Sequence, residues 1–248
     1  MGRNEEKLAE TKVSLEAEPN VGEVMTVCSD LSKASPADYE RIKKEIDPEN
    51  RDIGILINNA GIGPSDIDVF DNHDIDHMHK AVNITIVSTL YLTHMIEPGM
   101  MTRRRGLIVN VSSYFGILRF APYLGVYGPI KHFVGCLGRQ LVFENEQLGR
   151  PIDVVTLSAG PILTKLLREH VTDEFFQVSP ESYARTAINA LSARADSMAG
   201  TGWQAFWLNC YLFFNVAGIF ERIHTFLVRL SCDKDIGLNH NEYFRKKN

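Results

Sequence analysis

Four short runs of apolar residues alternate with longer, more polar stretches along the chain. The runs cover Val24–Cys28, Ile53–Ile57, Leu107–Val111 and Ile152–Leu157. Nearly continuous Val, Ile and Leu is typical of strands that are covered on both faces, as in parallel sheets. The pattern therefore predicts four strands of a parallel sheet.

The segments between these runs have the features of helices. The predicted helices cover Glu5–Glu18, Ser35–Glu45, Ala81–Met101 and Val126–Leu148. Strands that alternate with helices indicate βαβ units. We therefore expect an α/β fold with a doubly wound, Rossmann-like parallel sheet, built as one domain over residues 1–248.

The last part of the chain is different in character, because Gly202–Phe220 is rich in Trp, Phe, Leu and Tyr. Its length approaches that of a membrane span. The amide side chains of Gln204, Asn209 and Asn215 interrupt it, so a core helix is one interpretation. A substrate-tunnel or membrane-dipping segment at about 202–230 is the other.

Composition narrows the class of protein. The net charge of −5 argues against a nucleic-acid partner, which needs a basic surface. His73, His77 and His79 could suggest metal ligands, but they alternate with acidic residues, and this pattern is more typical of a solvated helix face. We predict no metal site.

The chain has four scattered cysteines, which are Cys28, Cys136, Cys210 and Cys232. Their wide separation favours a reducing compartment.

Tyr127 and Lys131 are the sharpest candidates for chemistry. Residues four apart share one face of a helix, and a nearby ammonium lowers the pKa of a phenol. Such a tyrosine can exchange a proton with a carbonyl or alcohol oxygen. The same spacing occurs twice in charged surroundings that predict surface residues, at Tyr39/Lys43 and Tyr243/Lys247.

Five motifs in a fixed order decide between these pairs, and together they resemble the short-chain dehydrogenase/reductase family. The motifs are Asn58–Gly61 after a strand, Asn83 in a helix, Val109–Ser113 at a strand end, the Tyr127/Lys131 pair and Gly160–Thr164. Their placement on strands, helices and loops agrees with the family's pattern. The resemblance therefore implies a nicotinamide-dependent oxidoreductase.

The resemblance implies a role for each catalytic residue. Tyr127 would be the general acid in reduction, and Lys131 would tune it and bind the nicotinamide ribose. Ser113 would hold the substrate carbonyl, and Asn83 would organise a water molecule in the proton path. The spacing from Ser113 to Tyr127 is one residue longer than the family branch leads us to expect, so Ser112 is an alternative to Ser113.

It also implies a set of cofactor-binding residues. An arginine at the position of Arg3 typically meets the 2′-phosphate of NADP, and Asp30 resembles the family's adenine-ring contact. The remaining residues let the backbone approach the cofactor or close over the nicotinamide: Asn59, Ala60, Gly61, Tyr127, Lys131, Pro161 and Thr164.

The stretch 82–113 is similar to one branch of the family. That branch contains 17β-hydroxysteroid dehydrogenases type 3 and type 12, the latter also called very-long-chain 3-oxoacyl-CoA reductase, and the hydroxysteroid dehydrogenase-like proteins. It implies reduction of a ketone or 3-oxoacyl group on a steroid or fatty-acyl lipid with NADP. It also implies a role in steroid, lipid or fatty acid metabolism and a place at the cytosolic face of the endoplasmic reticulum membrane. A cytoplasmic location is the alternative. Assembly as a homo-oligomer is also compatible with this branch.

The chain departs from the family at its start, because no GxxxGxG run follows any predicted strand. A helix N-terminus after such a turn is what binds a pyrophosphate. We therefore expect a truncated domain without the first strand and phosphate loop. It should not measurably bind NADPH, and it should show a gap beside Ile53–Ile57 or a shifted Val24–Cys28 strand. A non-catalytic binding protein or inactive isoform that keeps the reductase shell is the alternative function.

Pro129 is a further departure, because proline in a helix interior removes a hydrogen bond and clashes with the preceding turn. It is tolerated in the first turn. We therefore expect the helix to begin close to Val126.

Overall fold

A three-stranded parallel sheet forms the centre of the protein in a computed structural model that describes residues 1–117, 123–160, 162–163 and 178–191. The strands lie in the order β1 (Ile55–Asn58), β2 (Leu107–Ser113) and β3 (Asp153–Ala159). In register, Ile55 is opposite Leu107, which is opposite Asp153. Three of the four predicted strands and the parallel α/β fold are confirmed.

Helices cover both faces of this sheet or lie beside it. They are α1 (Glu5–Glu16), α2 (Pro36–Ile46), α3 (Ile75–Val82), a π-helical turn (Asn83–Val87), α4 (Ser88–Arg103), α5 (Tyr114–Ile117), α6 (Tyr127–Leu148) and α7 (Pro180–Leu191). The four predicted helices are present. The one predicted from Ala81 begins earlier, because α3, the π turn and α4 run on from one another. The short α5 and the later α7 were not predicted.

Local signals explain where two of these helices begin. Ser35 caps α2 through a reciprocal capping box with Asp38, and Pro36 follows at the first helical position. In α6, Val126 is the N-cap and Pro129 is the third helical residue. The prediction that Pro129 lies in the first turn is therefore confirmed.

The predicted strand Val24–Cys28 was wrong. Among the described residues it makes a single β-bridge, between Gly2 and Cys28. Val27 packs instead with Tyr39 and Ile42 of α2, in a cluster that also touches α4. An apolar run can be buried by a helix as well as by a neighbouring strand, and here α2 supplies the apolar surface.

The sheet has an open edge at β1 in the part of the chain that the structure describes. Ile55 and Ile57 are each 58% exposed, whereas Leu56 and Asn58 on the other face are buried. This edge agrees with the expected gap beside Ile53–Ile57. In the described ranges, no helix is long and apolar enough to cross a membrane. The predicted segment at 202–230 lies outside them.

A row of buried polar side chains crosses the sheet in register. Asn58 of β1 is opposite Asn110 of β2, which is opposite Thr156 of β3. The Asn58 side-chain amide donates to Asn110 Oδ1 at 2.9 Å and to Thr93 Oγ1 of α4 at 3.0 Å. The row thus ties β1 to β2 and to α4.

Gly138 lets α6 approach this row closely. A methyl group on Gly138 would lie 2.1 Å from Thr156 Oγ1 and 3.4 Å from Asn110 Nδ2. No real side chain tolerates the first distance, so helix and sheet would have to separate. The position of α6, which carries Tyr127 and Lys131, therefore depends on a glycine at 138.

We expect Gly138→Ala to lower the free energy of unfolding by about 1–3 kcal/mol, because an overpacked core side chain forces its neighbours apart. Gly135→Ala is the matched control on the same helix, since its added methyl group would meet nothing closer than 3.8 Å. It should raise stability by about 0.5–1 kcal/mol, because alanine favours a helix over glycine. Urea unfolding of both variants measures this, and equal stability of the two would contradict the close approach.

Candidate active site

The predicted catalytic side chains meet at the carboxyl end of β2. Ser113 is the last residue of β2, and Tyr127 is the first residue of α6. The two hydroxyl groups are near enough that Ser113 lowers the pKa of the Tyr127 phenol. Phe115 packs its ring edge-on against Tyr127, with centroids 6.2 Å apart. Ligands of open parallel sheets bind at this edge, so the place fits an active site.

The two candidate serines have different partners. Ser112 is buried and its hydroxyl donates to the backbone carbonyl of Lys131 at 2.7 Å. Ser113 Oγ accepts a hydrogen bond from the Phe115 backbone N–H at 3.3 Å. That leaves the Ser113 hydroxyl proton to be donated, and the nearby Tyr127 phenol has its pKa lowered by this hydroxyl. The geometry therefore favours Ser113, and it gives Ser112 the role of anchoring α6.

Lys131 lies deep in the site, with 6% of its surface exposed. Its ammonium donates to the Val111 carbonyl at 3.0 Å. Burial lowers the pKa of Lys131 to about 8, because a charged ammonium loses hydration in the interior. Near neutral pH the lysine is therefore a buried cation that releases its proton far more easily than a surface lysine.

The pKa of Tyr127 moves in the direction opposite to our expectation. Burial raises the pKa of this phenol, and the hydrogen bond from Ser113 lowers it only in part. The Lys131 ammonium is directed to the Val111 carbonyl, and desolvation of the ring is the larger effect. Tyr127 is consequently held as a neutral phenol, which is the form that donates a proton.

Asn83 begins the π-helical turn between α3 and α4. Its side-chain amide donates to the Ser32 carbonyl at 2.9 Å, so it holds the loop before α2 against the long helix. Turns of this type occur frequently at functional sites. The predicted role of Asn83 in a water-mediated proton path stays a prediction.

The segment after β1 is open to a ligand beside Lys131. Asn59, Ala60 and Gly61 are exposed, so their backbone is open to a ligand. A methyl group on Gly61 would lie 3.4 Å from Lys131 Nζ. The glycine thus leaves a cradle beside a buried cation, and these residues fit the sugar end of a nicotinamide nucleotide.

Arg3 and Asp30, the predicted contacts for the other end of the cofactor, are brought together. The Ser29 N–H donates to the Gly2 carbonyl at 2.8 Å, which places the two side chains on adjacent segments. The pKa of Asp30 is lowered, first by its hydrogen bond from the Ser32 hydroxyl and to a smaller degree by Arg3. The Arg3 side chain itself is exposed and available to an anion.

The histidines after β1 were predicted to form a solvated helix face, and this was wrong for two of them. His73 is buried and its Nε2 is 2.9 Å from the Asp68 carbonyl. His77 Nε2 is 2.8 Å from the Gly63 carbonyl. Both side chains fasten the loop after β1 next to Tyr127. Throughout the described ranges, no group of three His, Cys, Asp or Glu side chains could hold a metal ion.

Tyr39 was also predicted to be a surface residue, and it is buried. Its ring stacks on Tyr91 with centroids 4.0 Å apart, in the contact between α2 and α4. Lys43, four residues on, forms an ion pair with Glu49 at 3.0 Å. The Tyr39/Lys43 pair therefore has the spacing of Tyr127/Lys131 without its surroundings.

Some predicted positions lie outside the described residues. They are Pro161, Thr164, the loop Leu118–Pro122 and the pair Tyr243/Lys247. Next to Pro161, Leu163 N–H donates to the Val178 carbonyl at 2.9 Å, which brings the start of α7 to the same edge of the sheet.

Comparison with known proteins agrees with this geometry. The family model described as short chain dehydrogenase matches residues 1–174. The chain belongs to the short chain dehydrogenase family. It is 34% identical to hydroxysteroid dehydrogenase-like protein 1 of Gallus gallus over 194 residues, which are 77% of this chain and 56% of that protein. It is 32% identical to a very-long-chain 3-oxoacyl-CoA reductase of Caenorhabditis briggsae over 79% of this chain and 61% of that protein.

Solved structures of this family share the fold. A short-chain dehydrogenase from Sphingobium yanoikuyae in complex with NADPH superposes with a TM-score of 0.68 and 22% identity, over 88% of this chain and 83% of that one. This chain spans a little over half the length of the two relatives named above. The Rossmann-like parallel sheet is thus established.

The burial of Lys131 should make the free energy of unfolding depend on pH. The pKa of Lys131 falls from 10.5 to about 8 on folding, so the folded state binds fewer protons than the unfolded state between these values. The cost of burying the charge is then fully present below pH 8 and is relieved as the pH rises toward 10.5. Lys131→Met should therefore stabilise the chain at pH 7 by at most about 3 kcal/mol, and by much less at pH 10.

Urea unfolding of the wild-type chain and Lys131→Met at both pH values measures this effect. The difference between the two proteins isolates Lys131, because other groups that titrate in this range are common to both. A difference that does not change with pH would mean that Lys131 keeps an ordinary pKa in the folded protein.

Proposed function

We propose that this site reduces a ketone or 3-oxoacyl group of a steroid or fatty-acyl lipid with NADPH. The observation that carries the proposal is the placement of Ser113 and Tyr127 together at the carboxyl end of β2, with Lys131 buried one turn further on. The family and the fold support an oxidoreductase of this type.

Ser113 and Tyr127 present two hydroxyl groups to one point, where the oxygen of a substrate carbonyl would lie. Both can donate to an oxygen that gains negative charge, and such aimed donors stabilise the transition state. Tyr127 would give up its proton to that oxygen. The raised pKa of Tyr127 suits this direction, because a general acid must hold its proton until the reaction needs it.

Lys131 would supply the positive charge of the site. Its ammonium can hold the nicotinamide ribose and favour the phenolate that remains after proton transfer. NADPH, when bound, supplies the hydride. The cradle left by Gly61 and the exposed backbone of Asn59 and Ala60 would receive the nucleotide.

The names of the relatives suggest the substrate class. One is a hydroxysteroid dehydrogenase-like protein and the other a very-long-chain 3-oxoacyl-CoA reductase. Both names refer to apolar molecules, which supports a lipid or steroid carbonyl. The location at the cytosolic face of the endoplasmic reticulum stays a prediction, as do the lipid-facing segment at 202–230 and a homo-oligomer.

The proposal is tested on the chain itself and on a fusion that places the strand, glycine-rich turn and first helix of a short-chain dehydrogenase before Met1. The fusion supplies a glycine-rich turn followed by a helix N-terminus, the arrangement that binds a pyrophosphate. Tyr127→Phe should reduce NADPH-dependent ketone reduction on the order of 10²–10⁴-fold, because it removes the positioned acid. NADPH binding measured by titration calorimetry should stay nearly unchanged.

Tyr39→Phe is the matched control, because Tyr39 and Lys43 share the spacing of the proposed pair but lie in the contact of α2 with α4. It should keep full turnover. Equal turnover in Tyr127→Phe and the wild type would remove Tyr127 from the mechanism. If neither the chain nor the fusion binds a nicotinamide nucleotide, a non-catalytic binding protein becomes the better description.

Cofactor choice depends on Arg3 in this proposal. The active form should prefer NADPH to NADH, and Arg3→Asp should narrow or invert that preference, because a guanidinium pairs with the 2′-phosphate and a carboxylate repels it. Lys7→Asp reverses a charge nearby on the exposed face of α1 and should change the preference little. The ratio of kcat/KM values for the two cofactors gives the result. Equal use of both by the unmutated protein would show that Arg3 has another role.

A further inference from the structure

Thr85 carries a buried hydroxyl that the proposed mechanism does not use. The residue lies in the π turn, is 2% exposed, and its Oγ1 has no hydrogen-bond partner among the described residues. Its backbone carbonyl, by contrast, accepts the Thr89 hydroxyl at 2.6 Å. A buried hydroxyl without a partner has lost its hydrogen bonds to water and gained none, so it needs an explanation.

The Thr85 hydroxyl borders the same small space as the Lys131 ammonium. A methyl group on Gly61 would lie 3.5 Å from Thr85 Oγ1 and 3.4 Å from Lys131 Nζ. The space between the two groups is open because residue 61 has no side chain. An oxygen with free lone pairs and a buried cation therefore border one space and lie at most 6.9 Å apart.

The ammonium can use another acceptor. A lysine ammonium has three N–H donors, and the Val111 carbonyl takes one of them at 3.0 Å. A hydrogen bond from a second N–H to Thr85 Oγ1 across this shared space would satisfy both groups.

We propose that Thr85 is a positioning residue of this site, whose hydroxyl is the second acceptor for the Lys131 ammonium and holds it over Gly61. The catalytic meaning of this contact rests on the proposed function, because an ammonium fixed at that point faces the nucleotide cradle. The contact itself needs neither cofactor nor turnover. An acceptor oxygen favours the charged form of the lysine, so its removal should make Lys131 easier to deprotonate.

The test is the titration of Lys131 in the chain as it stands. The ¹³Cε chemical shift of labelled lysine reports the charge, and the Lys131 signal is identified by its loss in Lys131→Met. Thr85→Val removes the hydroxyl with little change in shape and should lower the pKa of Lys131 by about one unit. Thr85→Ser keeps the hydroxyl and should retain the wild-type value.

Two further variants separate positioning from packing. Thr89→Val removes a buried hydroxyl from α4 that bonds a backbone carbonyl, and it should leave the Lys131 titration unchanged. Gly61→Ala places a methyl group in the shared space and should lower the pKa of Lys131 as Thr85→Val does, with Thr85 intact. It decides the matter if Thr85→Val does not fold.

An unchanged Lys131 titration in both Thr85→Val and Gly61→Ala would overturn the inference, and so would an equal decrease in Thr89→Val. In the active form, Thr85→Val should also shift the pH profile of kcat toward lower pH, while Thr85→Ser should not. Absence of any reductase activity in the wild type counts against the proposed function alone, because the lysine titration is measured without cofactor.

Discussion

The in-register row of Asn58, Asn110 and Thr156 is the constraint on which the site depends. Each side chain is buried, and each comes from a different strand. In a parallel sheet, a shift by one residue turns every side chain to the opposite face. Such a shift would bury apolar groups where the amides now meet and leave the amides against apolar neighbours. The shift would also break the two hydrogen bonds of the Asn58 amide, so these bonds favour the observed register and with it the position at which β2 ends.

The position at which β2 ends decides where Ser112 and Ser113 lie relative to α6. Two bonds join the end of β2 to the first turns of α6: Ser112 donates to the Lys131 carbonyl, and Lys131 Nζ donates to the Val111 carbonyl. A methyl group on Gly116 would lie 2.7 Å from the same Lys131 carbonyl, so the backbone is closely packed there as well. Lys131 is therefore held at both its backbone and its side chain. Tyr127, one turn earlier, is placed by the same helix and meets Ser113.

Much of this arrangement could be predicted because it depends on patterns of residues that are close together in the sequence. Apolar runs gave β1, β2 and β3 to within two residues, and the Pro129 position gave the start of α6. The motif order identified the residues that meet at the site. Val24–Cys28 failed because an apolar run does not say whether a strand or a helix will cover it, and α2 covers it here.

The remaining errors have a common physical origin, which is that burial depends on the tertiary contacts of each residue. Tyr39 and His73 lie among charged residues in the sequence, yet one packs on Tyr91 and the other bonds a backbone carbonyl. The sequence likewise could not decide between Ser112 and Ser113, because their partners depend on the position of α6. Thr85 gave no signal at all, because a threonine in an apolar helix is ordinary until its hydroxyl is found without a partner beside a cation.

The pKa directions at the site follow from one effect that acts on two groups of opposite type. Burial raises the pKa of Tyr127 and lowers the pKa of Lys131, so in both cases it favours the neutral form. Near neutral pH the Lys131 ammonium is still charged, and the site responds strongly to charge that a ligand brings, because the surroundings screen it poorly. An oxygen that becomes negative would draw the proton from Tyr127 and would favour the ammonium of Lys131 at the same time. In the proposed mechanism the bound substrate would therefore set the direction of proton transfer, and the protein would contribute the fixed positions from which both groups act.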